Sequence, residues 1–134
     1  MGKVEYGFYR LEVWELGMKL VSEIYNITKK FPTEEKFSLV SQIRRASISV
    51  PLNIAECSIK RTKKDFASFV RIAPGSLMEV MTCLEISLGQ KYINKIEYEK
   101  FQKTIQELYF KLISLDKFLM DKSNSSWNIR TLEH

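Results

Sequence analysis

The chain has 134 residues, of which 45% are apolar and 28% charged, and its formal net charge is +5. This length suits one domain with one core, and the composition excludes a disordered or low-complexity chain. No apolar run reaches the roughly 20 residues of a membrane-spanning helix, and charged residues near the start exclude a signal peptide, so we expect a cytoplasmic protein without membrane attachment.

The single histidine limits the chemistry that the chain can perform. His134 ends the run Leu132-Glu133-His134, which resembles the remainder of an expression tag, and the rest of the chain has no imidazole. Histidine-dependent nucleophiles, general bases and metal sites are then excluded, and Cys57 and Cys83 have no metal-binding spacing. We therefore predict a protein that is not an enzyme, with no catalytic residue, no metal and no cofactor.

The first predicted helix lies between Phe8 and Phe31 and has two apolar rows. Together the rows span about 220° of the helix, whereas about 100° suffices for a helix that packs on one core. The excess predicts contact with a second subunit, or else a central place for this helix in its own bundle. Phe31-Pro32 ends the helix, because proline lacks an N–H and restricts the residue before it. The rows are Leu11, Trp14, Met18, Val21 and Tyr25, and Val13, Leu16, Leu20, Ile24 and Ile27.

A second helix is predicted from about residue 34 to 59, with Thr33 as its cap and Pro51 in its interior. An interior proline leaves the carbonyl four residues earlier without its helical partner, so we expect a kink at Pro51. One face of this helix carries Leu39, Ile43, Ala46, Val50 and Cys57, and another carries Phe37, Ile48, Leu52 and Ala55.

Thr62 and Asp65 have the spacing of a capping box and start a third predicted helix, which Gly89 ends. Pro74 lies inside its apolar pattern, so the helix either kinks there or consists of two shorter helices. Because the apolar phase continues across Pro74, the pattern favours the kink. The core row contains Phe66, Phe69, Val70, Ala73, Leu77, Val80, Met81, Leu84 and Leu88.

Asn94 and Glu97 form the cap of a fourth helix, whose apolar row runs from Phe101 to Leu119. Short connections make consecutive helices antiparallel. We therefore predict an all-α, up-down-up-down four-helix bundle with its second and third helices kinked at Pro51 and Pro74. Residues 1–121 form the single domain, and residues 122–134, which include the tag-like end, form a flexible tail.

The positive charge is concentrated in one part of the chain. Residues 41–75 hold seven Lys or Arg and two Asp or Glu, whereas the remaining residues hold fourteen of each. Such a patch attracts polyanions, although surface lysines can also serve solubility alone. Phe66 and Phe69 belong to the core row, so no platform for base stacking is predicted and backbone or shape recognition is favoured. The predicted phosphate-binding residues are Arg44, Lys60, Arg61, Lys63, Lys64 and Arg71.

A polar row repeats at steps of three and four residues along the second helix. The row is either exposed to solvent or a partly buried network at a subunit contact, where Arg45 and Glu56 would need partners and would set the register. We assign the row to assembly. Its members are Gln42, Arg45, Ser49, Asn53 and Glu56.

The run from Gln42 to Glu56, followed by Phe69, Ile72-Ala73, Gly75-Ser76-Leu77 and Glu79, closely resembles four-helix-bundle proteins encoded in intervening sequences of 23S ribosomal RNA genes. Members of this family are often labelled S23 ribosomal protein. The resemblance covers about residues 8–120, and the chain departs from the family pattern at Cys57, where glycine is usual, and at Pro74. The similar accessory proteins of diversity-generating retroelements bind nucleic acid and a reverse transcriptase.

The resemblance implies a homo-oligomer, a pentameric barrel, that associates with nucleic acid. Together with the basic patch, it predicts a non-enzymatic protein that binds RNA. The alternative is a scaffold that docks a partner enzyme such as a reverse transcriptase, with nucleic acid incidental.

Overall fold

The computed structural model describes residues 11–57 and 62–120, and for Cys57, Lys63, Phe66, Phe69, Leu119 and Met120 it describes the backbone alone. The predicted tail 122–134 lies outside the described residues. Within them the chain forms five α-helices and one short 3-10 turn, Thr33–Glu35. The helices are α1 (Glu12–Thr28), α2 (Leu39–Cys57), α3 (Lys63–Val70), α4 (Ile72–Gly89) and α5 (Lys95–Met120).

The helices form the predicted up-down-up-down bundle, with α3 and α4 together as its third member. α1 packs against α2 and α5, and α4 packs against the same two helices, so α1 and α4 lie diagonally across the bundle. Contacts between early residues of one helix and late residues of the next show that neighbours are antiparallel. Arg44 of α2 reaches Thr28 of α1, Gln42 of α2 reaches Glu79 of α4, and Arg71 reaches Asp116 of α5.

The third predicted helix is interrupted at Arg71, three residues before Pro74. The Arg71 amide still donates to the Ala67 carbonyl at 3.0 Å, as in a continuous helix. The next bonds cannot all form, because Pro74 has no N–H for the Val70 carbonyl and its ring crowds that carbonyl. The chain therefore forms two helices that meet at Arg71, and α2 by contrast continues through Pro51 as one helix.

Two of the predicted caps are confirmed. The Asp65 amide donates to Thr62 Oγ1 at 3.1 Å, and Asn94 and Glu97 bond reciprocally, with amide-to-side-chain distances of 2.9 and 2.8 Å. The start of α2 differs from the prediction, since residues 33–35 form the separate 3-10 turn and α2 begins at Leu39. Its first turn closes with the Gln42 amide donating to the Ser38 carbonyl.

The core is apolar and runs the length of the bundle. From α2 it takes the predicted face of Leu39, Ile43, Ala46 and Val50, whereas the second apolar face of that helix is largely left outside. Phe37, Ile48 and Leu52 are exposed. The α1 row that contains Trp14 is also incompletely covered, because Trp14, Val21 and Tyr25 are half-buried and Met18 is exposed. The subunit thus exposes apolar side chains on two neighbouring helices.

Candidate nucleic-acid interface and assembly surface

The predicted phosphate-binding residues that the structure describes are divided between the two ends of the bundle. Lys64 is exposed in the first turn of α3 and makes no ion pair with another described residue. Lys60 and Arg61 lie outside the described residues, and Lys63 is described by its backbone alone. Arg44 lies thirteen residues before the end of α2, about 20 Å along the helix axis. Of the described side chains, Arg44 therefore does not form one compact patch with Lys64.

Arg44 is held in place by α1. Its Nε donates to Thr28 Oγ1 at 2.9 Å, and its guanidinium lies 4.4 Å from the ring centroid of Tyr25. Thr28 Oγ1 itself donates to the Ile24 carbonyl at 2.7 Å, which fixes the acceptor. A cation over an aromatic face is attracted by the ring quadrupole. The contacts orient the guanidinium, whose other N–H donors make no hydrogen bond with a described residue.

Arg71 lies in the one-residue break between α3 and α4 and contacts α5. Its Nε lies 2.9 Å from Asp116 Oδ1, and the arginine side chain remains about half exposed. The carboxylate offsets part of the positive charge, although an exposed pair of this kind contributes little to stability. Lys64 is seven residues earlier, about 10 Å along α3. Arg71 and Lys64 therefore lie at the same end of the bundle.

The polar row of α2 contains residues that bond within the subunit and residues that are exposed without a described partner. Ser49 Oγ lies 2.7 Å from Ser76 Oγ of α4, and Asn53 Nδ2 donates to the Ser49 carbonyl and hydroxyl at 2.7 and 3.0 Å. Gln42 Nε2 reaches Glu79 Oε2 at 3.4 Å. Ser49 and Gln42 thus join α2 to α4 within the subunit, and Asn53 supports Ser49 from the same helix. Arg45 and Glu56 are exposed and have no hydrogen bond or ion pair with another described residue.

The outer surfaces of α2 and α4 form what we term the α2–α4 face. On it Leu52 is 59% exposed, and a groove of about 380 Å³ lies beside Gln42 and Glu79. Cys83 is at the floor of this groove, and burial, together with the nearby Glu79 carboxylate, raises the pKa of its thiol. Apolar patches rimmed by polar groups are typical of interaction sites. The exposed apolar residues of the face are Ile48, Leu52, Ile72, Met78 and Ile86.

Two exposed aromatic residues of α5, Phe110 and Phe118, were absent from the sequence-based prediction. Phe110 of α5 is 66% exposed and lies edge-on to Tyr109, with ring centroids 5.8 Å apart. It does not belong to the apolar row of α5, and Lys103 and Lys117 lie seven residues to either side of it. The sequence could have indicated this surface through that spacing, because residues seven apart share one face of a helix.

The described helices and side chains lack the features of a membrane span and of a metal site. No described helix is long and apolar enough to cross a membrane. Among the described side chains, no group of three or more His, Cys, Asp or Glu could hold a metal ion.

Comparison with known proteins agrees with the resemblance that the residues carry. A family model described as 23S rRNA-intervening sequence protein matches residues 9–114. A crystal structure of a protein with unknown function from the S23 ribosomal protein family of Bacteroides thetaiotaomicron VPI-5482 is similar, with 28% sequence identity and a TM-score of 0.72. The match covers 78% of this chain and 98% of that one. No curated protein matches. From the family model and the shared helical bundle, we conclude that the chain belongs to the 23S rRNA-intervening sequence protein family.

Proposed function

We propose that the protein is a non-enzymatic, cytoplasmic helical bundle that assembles into a homo-oligomer, a pentamer, and binds RNA. It binds through the lysine and arginine residues at the end of the bundle where the chain passes from α2 to α3, which we term the α2–α3 end. The observation that carries this proposal is the distribution of charge. Residues 41–75 account for the whole net charge of +5, because bases and acids are equal in number elsewhere. A localised positive surface attracts phosphates at long range and independently of sequence.

Assembly and RNA binding support each other in this proposal. A single subunit offers few phosphate contacts, of which Lys64 and Arg71 are the described ones at the α2–α3 end. Linked copies of a weak site raise the overall affinity strongly, because the later contacts are intramolecular. The α2–α4 face supplies a surface for assembly, since its apolar side chains are exposed and Arg45 has no described partner. The family name connects related proteins with intervening sequences in 23S rRNA, which favours RNA over DNA.

The RNA-binding part is tested by charge reversal. We would measure the affinity for a structured RNA at several salt concentrations with the unmodified protein and with a variant in which Lys60, Arg61 and Lys64 are changed to Glu. The expected results are an affinity that falls as salt rises and a loss of binding in the variant. The matched control changes Lys19, Lys29 and Lys36 to Glu, which alters the net charge equally at other exposed positions.

Two outcomes contradict the proposal. One is an affinity that does not change with salt, and the other is equal binding by the α2–α3 variant and the control variant. Circular dichroism of both variants would ensure that the bundle is intact.

The groove on the α2–α4 face favours a second candidate, a scaffold that docks a partner enzyme such as a reverse transcriptase. The groove combines apolar walls with the polar side chains of Gln42 and Glu79, which is the usual composition of a protein-binding surface. Purification after nuclease treatment distinguishes the candidates. A partner that stays bound without nucleic acid supports the scaffold, and a partner that is lost with the nucleic acid supports RNA binding.

A further inference from the structure

The outward face of α5 carries a straight row of three exposed residues, Lys103, Phe110 and Lys117, which we term the α5 stripe. Each member is seven residues from the next, so each step rotates by only about 20° and advances about 10.5 Å. The whole stripe is about 21 Å long. It faces away from α1, α3 and α4, against which the other sides of α5 pack.

The ring of Phe110 is exposed to solvent and is in contact with the ring of Tyr109. A phenylalanine that is 66% exposed leaves most of its apolar surface in water, which is unfavourable without a partner. Tyr109 packs against the core and meets the Phe110 ring at an interplanar angle of 85°. The edge-on contact limits the movement of the phenylalanine ring and leaves its other surfaces open. A flat aromatic surface is therefore presented to solvent in a restricted orientation.

Most carboxylates near the stripe already have partners. Glu97 accepts the Asn94 amide at the helix start, Glu99 is paired with Lys95, and Asp116 is paired with Arg71. Glu12 of α1 is paired with Lys111. On the exposed side of α5 this leaves Glu107 as the carboxylate without a described partner.

Three lysines of α5 remain without a described ion pair. They are Lys100, Lys103 and Lys117, all exposed. The stripe is therefore net positive, and a positive surface with an aromatic residue at its centre is complementary to a flexible chain of phosphates and bases.

We propose that the α5 stripe binds single-stranded nucleic acid, with a base stacked on Phe110 and flanking phosphates on Lys103 and Lys117. This inference rests on the proposed function and adds to it a second surface and a mode of recognition. Aromatic stacking tolerates any base, since each base has a π-face. The stripe also continues toward α3, because Lys117 follows Asp116, the residue that contacts Arg71. A nucleic-acid strand that leaves the stripe therefore reaches the basic side chains of the α2–α3 end without crossing the α2–α4 face.

The test compares a labelled single-stranded RNA of twelve nucleotides with a blunt-ended RNA duplex, by fluorescence anisotropy. Phe110→Ala should weaken binding of the single strand about tenfold or more and leave duplex binding unchanged, because paired bases cannot stack on the ring. Phe110→Tyr should retain single-strand binding, since it keeps an aromatic surface. Reversing Lys103 and Lys117 to Glu should weaken single-strand binding and reduce its salt dependence. Ile96→Ala is the matched control, since Ile96 is 71% exposed on the same helix and is not aromatic.

The outcomes separate this inference from the function on which it rests. If the unmodified protein binds the duplex but not the single strand, or if Phe110→Ala binds the single strand normally, the α5 stripe is overturned and the proposed function stands. If neither RNA is bound at low salt, the proposed function fails and the inference with it. A lower assembly mass for Phe110→Ala would assign the ring to a subunit contact and likewise overturn the stripe.

Discussion

Glu35 joins two segments that lie at one end of the bundle, the connection between α1 and α2 and the connection between α4 and α5. Its carboxylate accepts hydrogen bonds from Ser38 Oγ at 2.7 Å and from Tyr92 Oη at 2.8 Å. The ring of Tyr92 lies 5.3 Å from that of Phe31, so the contact is both polar and aromatic. The bond from Ser38 and then that from Tyr92 lower the pKa of Glu35, and the bond to Glu35 raises the pKa of the Tyr92 hydroxyl.

We expect Tyr92→Phe to move the pKa of Glu35 back toward its usual value. Because the folded-state pKa is lowered, the carboxylate stabilises the fold above its unfolded-state pKa and loses that contribution as the pH falls through the folded-state value. The variant should therefore lose less stability on acidification than the unmodified protein. A carboxyl NMR titration measures the pKa. Tyr109→Phe is the control, since the Tyr109 hydroxyl makes no hydrogen bond with a described residue, and an unchanged Glu35 titration in Tyr92→Phe would contradict the assignment.

Lys91 closes the C-terminal end of α4 in a left-handed conformation. Its φ is 65°, its amide donates to the Leu88 carbonyl at 3.0 Å, and the Tyr92 amide donates to the Ser87 carbonyl at 2.9 Å. This pair of bonds is the Schellman motif, in which glycine is the usual left-handed residue. The helix ends at Gly89, as the sequence predicts, and the left-handed position that follows is taken by Lys91.

Lys91→Gly should raise the free energy of unfolding by about 0.5–1 kcal/mol, because glycine adopts a positive φ without the steric cost of a Cβ. Chemical denaturation measures the change. Gln90 precedes it with a φ of −83°, so Gln90→Gly should give no gain. Equal effects at the two positions would contradict the assignment of the cap.

At the scale of elements, α1 and α2 make their close approach at Gly17 and Pro51. A Cβ added to Gly17 would lie 3.3 Å from Cδ of Pro51, and both residues are buried. The proline ring therefore takes part in packing although it removes a backbone donor from α2. Glycine lets the two helices pack at this short distance, since any side chain on α1 would press on a rigid ring.

We expect Gly17→Ala to lower the free energy of unfolding by about 1 kcal/mol, because the steric cost of overpacking exceeds the gain in helix propensity. Gly89→Ala is the comparison, since nothing lies within 4 Å of its added Cβ. That variant should be neutral or more stable than the unmodified protein. A stabilised Gly17→Ala protein would show that the helices can separate at this point without cost.

At the scale of the whole molecule, the α2–α4 face exposes apolar side chains to solvent. The bundle already has a continuous core, so the exposed Leu52, Ile72 and Ile86 are not needed to complete it. Burial of such side chains between subunits would be favourable by about 25 cal/mol for each Å² removed from water. The exposed Arg45 and Glu56 lie on the same helix and are available to pair across a contact.

Light scattering after size exclusion should give about five times the subunit mass, as the pentamer implied by the family resemblance requires. Leu52→Glu should reduce this mass, since a carboxylate would be buried at the contact, and it should leave the helix content unchanged because Leu52 is exposed in the subunit. Ile96→Glu, at a site on α5 that is 71% exposed, should retain the mass. A compact monomer at micromolar concentration, or an unchanged mass for Leu52→Glu, would be incompatible with assembly through this face.

The sequence by itself determined the helices, because helix formation depends on residues three and four apart. The apolar row of α5, the cap of Asn94 and Glu97 and the buried face of α2 follow from such local spacing. The tertiary structure decided which exposed groups meet, because that depends on how the helices are placed around the core. It separated Arg44 from Lys64, paired Arg71 with Asp116 from 45 positions away, turned Ser49 toward α4 and left Phe110 outside. Contacts between residues far apart in the chain have no local signature, so the candidate surfaces could be located only once the helices were packed.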